Sequence, residues 1–334
     1  MSRARFRWFF IGLVVGAVAA SARQARARRL ALAARSEVLT RRAVERLGVP
    51  AESKYITVND VRLHTIVAGP EDGALVVLLH GFPENWYAWR KQIGPLVQAG
   101  YRVVVPDQRG YNLSDKPAKV SSYRLNTLAA DILELIRACG RERAIIIGHD
   151  WGGGVAWQFA MNYPEVTEKL IVMNAPHPAK FARELKENPA QRRKSWYMGY
   201  FQIPWLPETQ LGFAPLYSAR MAFRQMAIRK NAFTDDDLKV MAASLAQPGA
   251  LTAMLNWYRA AFRYRDTGEV PVIETPTLLI WAEDDFALGK SLTVGLEKWL
   301  PNLRIHYIPD CGHWVQNEAP DEVNEQLLGF LKAD

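Results

Sequence analysis

The chain has 334 residues, 49% of them hydrophobic, with 42 Lys and Arg against 34 Asp and Glu and a net charge of +8. Eleven arginines and two glutamates fall within residues 1–46, a balance of +9, which leaves the rest at −1. A basic terminus on a near-neutral body argues against nucleic-acid binding, and Cys139 and Cys311 are too few for a disulfide framework. Neither cysteine lies in a metal-ligand pattern, although Cys311 is near His313, so no metal and no cofactor are expected.

Residues 8–22 are an uncharged apolar run, bracketed by Arg3, Arg5 and Arg7 before and by Arg23, Arg26, Arg28 and Arg29 after. At about 1.5 Å per residue the run is shorter than a ~30 Å hydrocarbon core, and snorkelling arginines with local thinning make up part of the deficit. Residues 24–47 read as a basic amphipathic helix lying on an anionic surface. The expectation is a membrane-associated segment over residues 1–48, with membrane lipids as its partners and the body in a reducing compartment. Export is the alternative, because Ala20-Ser21-Ala22 fits a signal-peptide cleavage pattern.

From residue 50 the pattern is regular. Residues 55–58 and 62–67 alternate as short strands around Asn59-Asp60, and 75–79 is a continuous apolar run suited to a strand buried on both faces. Residues 101–105 predict the next strand and 125–139 an amphipathic helix closed by Gly140. A β-branched run, Ile145-Ile146-Ile147, then feeds Gly148-His149-Asp150-Trp151-Gly152-Gly153-Gly154, followed by helix formers. This is a strand–elbow–helix pattern with aspartate where a serine nucleophile would stand. An aspartate there is ionised at neutral pH without help from a base. It would attack a saturated carbon and become the acyl half of an ester. By itself the stretch also reads as a glycine-rich turn in another α/β fold, with Asp150 as a helix cap.

Residues 169–173 predict a further strand, and 277–281 and 304–308 resume the β pattern much later. Strands alternating with helices predict a mostly parallel central sheet with helices on both faces. Residues 179–268 are helical and rich in aromatics, with Thr234 ahead of Asp235, Asp236 and Asp237 as a helix start. They predict an all-helical lid inserted into a core of residues 50–178 and 269–332, over the sheet edge where such folds bind ligands.

With these motifs in view, the chain resembles the epoxide hydrolases of the α/β-hydrolase superfamily over residues 50–332. His80-Gly81-Phe82-Pro83 matches the family's oxyanion-hole motif and residues 148–153 its nucleophile motif. Ala282-Glu283-Asp284-Asp285-Phe286 resembles the loop with the acid, and Cys311-Gly312-His313-Trp314 the histidine loop. The segments around Tyr197 and Tyr258 resemble those carrying the family's two ring-opening tyrosines. Asn112 departs from the usual glycine, but asparagine tolerates the left-handed conformation. Membrane-anchored relatives suit residues 8–22.

The resemblance implies hydrolysis of lipophilic epoxides to vicinal diols through an ester on Asp150. His313, oriented by Asp285, would activate water for the second step. The backbone N–H groups of Phe82 and Trp151 would hold the oxyanion. Tyr197 and Tyr258 would give the opening epoxide oxygen its proton, and Trp151, Trp314 and Phe286 would contact substrate. Asp284 competes with Asp285 for the acid role, while His64, His149, His177 and His306 read as structural. Haloalkane or haloacid dehalogenation uses the same Asp–His–acid chemistry, but Phe82 lacks a halide donor. An inactive hydrolase fold serving as a membrane-bound interaction module is the second alternative, and the complete set of residues opposes it.

Overall fold

A computed structural model of the chain describes residues 22–264 and 270–333. Eight strands form one sheet: β1 (Ala51–Val58), β2 (Val61–Ala68), β3 (Leu75–Leu79), β4 (Arg102–Pro106), β5 (Ala144–His149), β6 (Thr167–Met173), β7 (Thr277–Ala282) and β8 (Leu303–Ile308). Their order is β1-β2-β4-β3-β5-β6-β7-β8, antiparallel at β1/β2 and β2/β4 and parallel elsewhere. The two-residue turn between β1 and β2 uses Asn59 and Asp60, both at positive φ, as a tight hairpin requires. The continuous apolar strands β3, β5 and β7 are buried along their whole length, the burial that parallel strands covered on both faces demand.

The helices follow in chain order. Ahead of the sheet lie α1 (Ala22–Ala33) and α2 (Ser36–Glu45); α3 (Arg90–Gln98), α4 (Leu125–Ala138) and α5 (Trp151–Asn162) connect its central strands. The β3–α3–β4 crossover steps one way across the sheet and β4–α4–β5 steps back the other. Right-handed crossovers therefore put α3 and α4 on opposite faces. Between β6 and β7 come α6 (Pro178–Glu187), α7 (Pro189–Lys194), α8 (Trp196–Tyr200), α9 (Leu206–Phe213), α10 (Pro215–Ala219), α11 (Asp235–Ala246) and α12 (Ala250–Arg263), and after β8 come α13 (Val315–Glu318) and α14 (Pro320–Lys332). The Thr234 signal is a reciprocal cap: the Asp237 N–H donates to Thr234 Oγ1 at 3.2 Å, and the Thr234 N–H to the Asp237 carboxylate at 2.7 Å.

The N-terminal expectation requires correction. Residues 8–21 of the apolar run, and with them the export alternative, lie outside the described residues. Among the described residues no helix is long and apolar enough to cross a membrane. The basic stretch is not one helix on an anionic surface but two, α1 and α2, packed on the protein itself. Ala33, Ser36, Thr40, Ala43 and Leu47 form a buried stripe at helical spacing. Arg29 donates to the carbonyls of Ala246 and Gln247, at 3.2 and 3.4 Å, the last residue of α11 and its C-cap. Gln247 donates back to Ala33 O at 2.8 Å and Ser36 Oγ at 2.7 Å. Periodicity reports that a helix has a face to cover. It does not report whether lipid or protein covers it, and here α11 does. Arg29→Ala is expected to cost about 1 kcal/mol, because carbonyls at a helix C-terminus lose a cationic donor. A lowered urea midpoint with an unchanged slope checks this.

Candidate active site

The elbow is built by what its glycines lack. A Cβ on Gly148 would stand 2.3 Å from Gly152 O, and one on Gly152 would stand 2.1 Å from Leu79 O. Only hydrogen fits at either place, so β5 turns into α5 within one residue. That residue is Asp150, held at φ 50° and ψ −119°, a conformation that costs an L-residue roughly 1–3 kcal/mol. It lies at the carboxyl end of β5 and at the N-terminus of α5, whose free amides favour an anion.

Three loops converge on the Asp150 carboxylate. The loop after β3 brings the Phe82 N–H, which donates to Oδ1 at 2.8 Å. The loop after β8 brings His313, with Nε2 3.5 Å from Oδ2. The loop after β7 brings Asp285, whose Oδ2 accepts from His313 Nδ1 at 2.7 Å and from Asn174 at 2.8 Å. Its other oxygen accepts from the Ala287 and Leu288 amides at 2.7 and 3.0 Å. Asp284, the competing acid, is exposed. The Phe82 amide follows β3, and that of Trp151 is the first of α5.

Electrostatics follows from this wiring. Burial pushes the Asp285 and Asp150 carboxyls up, but hydrogen bonds and charge from His313 outweigh it. Both are held below the ordinary aspartate value. Burial disfavours the charged form of His313, yet Asp285 and Asp150 together raise it well above an ordinary imidazole.

The helices between β6 and β7 supply the opposite wall. Asp150, His313, Tyr197 and Tyr258 border a cavity walled, apart from Ser218, by apolar side chains, among them Phe82, Trp196, Phe201, Leu211, Met226, Leu245, Phe286 and Trp314. Burial, and then the charge of Asp150, push the hydroxyls of Tyr197 and Tyr258 far above an ordinary phenol, so both stay protonated. Tyr200 instead turns its hydroxyl to Gln210. Trp151, expected from sequence to contact substrate, is not among the residues that line this cavity. Its ring meets Tyr258 edge-on, with centroids 4.9 Å apart. Phe286 and Trp314 are on the wall, each packed against the His313 ring. Among the described residues no group of three or more His, Cys, Asp or Glu side chains is placed to hold a metal ion.

One cluster escapes sequence reasoning. His149 meets Glu84 through Nδ1 at 2.9 Å and the His313 carbonyl through Nε2 at 2.8 Å. Glu84 also accepts from the Gly81 amide at 3.0 Å and from Gln316 at 3.0 Å. This fully buried group ties the Phe82 loop, the elbow and the histidine loop together beneath the carboxylate. Its only sequence signal is adjacency, since Glu84 follows Pro83 and His149 precedes Asp150.

The departure at Asn112 is accommodated as expected: it adopts φ 38° and donates to Asp107 at 2.8 Å.

The sequence profile of the alpha/beta hydrolase fold matches residues 74–320. The AB hydrolase superfamily protein YfhM of Bacillus subtilis (strain 168) is 46% identical over 280 residues, covering 84% of this chain and 97% of the relative. Epoxide hydrolase 1 of Caenorhabditis elegans is 39% identical over 284 residues, 84% of this chain and 70% of the relative. A Bacillus megaterium epoxide hydrolase solved with an inhibitor superposes with a TM-score of 0.79 at 34% identity, covering 84% of this chain and all of that one. With a carboxylate at a strand–helix elbow, a His–Asp pair beside it and relatives of this kind over most of its length, the chain belongs to the epoxide hydrolase family of the α/β-hydrolase superfamily.

Proposed function

We propose that the protein hydrolyses lipophilic epoxides to vicinal diols through a covalent ester on Asp150. The observation that carries this reading is the pairing of an ionised carboxylate with two protonated phenols across an apolar cavity. Asp150 attacks one ring carbon, the ring C–O bond breaks, and the freed oxygen takes a proton from Tyr197 or Tyr258. The result is a hydroxyalkyl ester and a tyrosinate. His313 then takes a proton from water, and the hydroxide adds to the Asp150 carboxyl carbon. The oxyanion is held by the Phe82 and Trp151 amides. The diol leaves with one original Asp150 oxygen. Of the two water protons, one goes to the departing alkoxide and the other restores the tyrosine.

A halide leaves without a proton, so dehalogenation would have no use for the tyrosines. The wall supports neutral, lipophilic substrates. Purified protein supplied with styrene oxide and, separately, with 1-bromobutane is expected to yield diol from the first and no halide from the second. Bromide release without diol would overturn the assignment.

The tyrosines are expected to substitute for one another. Tyr197→Phe and Tyr258→Phe should each slow single-turnover ester formation about tenfold, and the double variant by about 10³-fold or more, within the usual range for general acid catalysis. Rapid quench of styrene oxide with excess enzyme measures this. A double variant at the native rate would remove both tyrosines from the mechanism.

A further inference from the structure

Tyr197 is carried by α8, a helix of five residues whose N-cap residue, Ser195, makes no side-chain cap to it. So short a helix does not hold a hydroxyl in place by itself. The side chain that ties this segment down is Gln191, in the preceding helix α7 and only 1% exposed. Its Nε2 donates to Ser195 Oγ at 3.0 Å and to Ala287 O at 2.9 Å, and its Oε1 accepts from the Gly289 N–H at 2.8 Å. One amide therefore pairs with both backbone groups of the acid loop, as a neighbouring strand would, and also grips the residue that begins the Tyr197 helix. The loop it grips carries Asp285, which orients His313, and Phe286, which lines the cavity. Lys194, three residues further along, donates to the Asp285 carbonyl.

We propose that Gln191 is a positioning residue for ring opening: it sets the Tyr197 hydroxyl in register with Asp150 by clamping the lid to the acid loop. The inference rests on the assignment of Tyr197 as a ring-opening acid. Gln191 touches no reacting atom. It acts through Tyr197, and its effect is bounded by what Tyr197 contributes.

That bound makes the test specific. Gln191→Met keeps the length of the side chain and removes all three hydrogen bonds. Single-turnover ester formation with styrene oxide is measured in three backgrounds. In the otherwise native enzyme, where Tyr258 still donates, the substitution should slow ester formation by up to about tenfold. In Tyr258→Phe, where Tyr197 is the sole donor, it should slow it by about 10²-fold, the usual result of misplacing a reacting group by about 1 Å. In Tyr197→Phe it should change the rate by less than about twofold, because coupled residues are not additive. Gly289→Ala is the milder companion variant: its added Cβ would stand 3.2 Å from Gln191 Oε1, displacing the amide without deleting it. It should give the same pattern at smaller amplitude. Equal slowing in all three backgrounds would mean a general loss of structure and would overturn the proposal. So would no slowing in Tyr258→Phe. If Tyr197→Phe slows ester formation neither alone nor in Tyr258→Phe, the assignment of Tyr197 as a ring-opening acid falls and the clamp falls with it.

Discussion

His313→Gln is expected to turn over once and stop. Ester formation needs an ionised Asp150; the variant loses the help His313 gives that anion, but the Phe82 N–H and the free amides of α5 still favour it, so attack on the epoxide proceeds without a base. Hydrolysis of the ester does need one, because water is a poor nucleophile until a proton is removed. Steady-state diol formation should fall by about 10³-fold or more, and the protein should gain the full mass of the epoxide. Intact-protein mass spectrometry reads the gain, and peptide mapping should place it on the peptide containing Asp150. Free turnover by this variant, or no adduct from a folded protein, would refute the two-step scheme.

The same wiring predicts how the native enzyme responds to pH. In the free enzyme His313 is raised by Asp285 and Asp150 together. Esterification converts Asp150 from an anion to a neutral group, so His313 loses one of the two charges that favour its protonated form. Its pKa falls, and it becomes a base at the step that needs one. Hydrolysis should then fade as the pH drops through the pKa of His313 in the ester. Ester formation should persist further into acid, since Asp150 remains ionised above its own lowered value. Native enzyme quenched at decreasing pH should accordingly show a growing fraction of covalent adduct. A fraction that shrinks toward acid would contradict the assigned order of steps.

Asp150→Ala should abolish diol formation, by a factor on the order of 10⁵ or more, as removal of other enzymatic nucleophiles does. The loss follows from chemistry rather than from folding, because the glycines around the elbow remain and a Cβ is already accommodated at φ 50°. Isotope labelling sharpens the result in the native enzyme. In ¹⁸O-water with enzyme in excess, the diol from the first turnover should carry no label, since its new oxygen comes from Asp150. The label should appear in the elbow peptide. Labelled diol in the first turnover would mean direct attack by water and would remove the ester.

Much of this protein is legible without coordinates, because the decisive signals are local. A parallel strand buried on both faces must be apolar throughout, so 75–79, 145–147 and 277–281 announce themselves. An elbow with no room for a Cβ must use glycine, so 148–154 marks the point where a carboxylate stands over the sheet. Thr234 with its three acids marks a helix start, because the first turn has amides to satisfy. The fates of Asp284 and Asp285, adjacent and identical in type, are not local in this sense. One is exposed and the other is wrapped by its own loop and by Asn174.

By itself the sequence therefore determined the order of strands and helices, the elbow, and the candidates for reaction there, since each depends on neighbours within a few positions. The tertiary structure alone decided what meets across the chain. Glu84 and His149 are 65 residues apart, His149 and the His313 carbonyl 164, and Gln191 and Ala287 96. It also set the Trp151 ring edge-on against Tyr258, and laid the basic N-terminal helices on α11. The physical reason is the same in each case: burial makes a polar or amphipathic group find a partner, but which partner it finds is settled only by the packing of the whole fold.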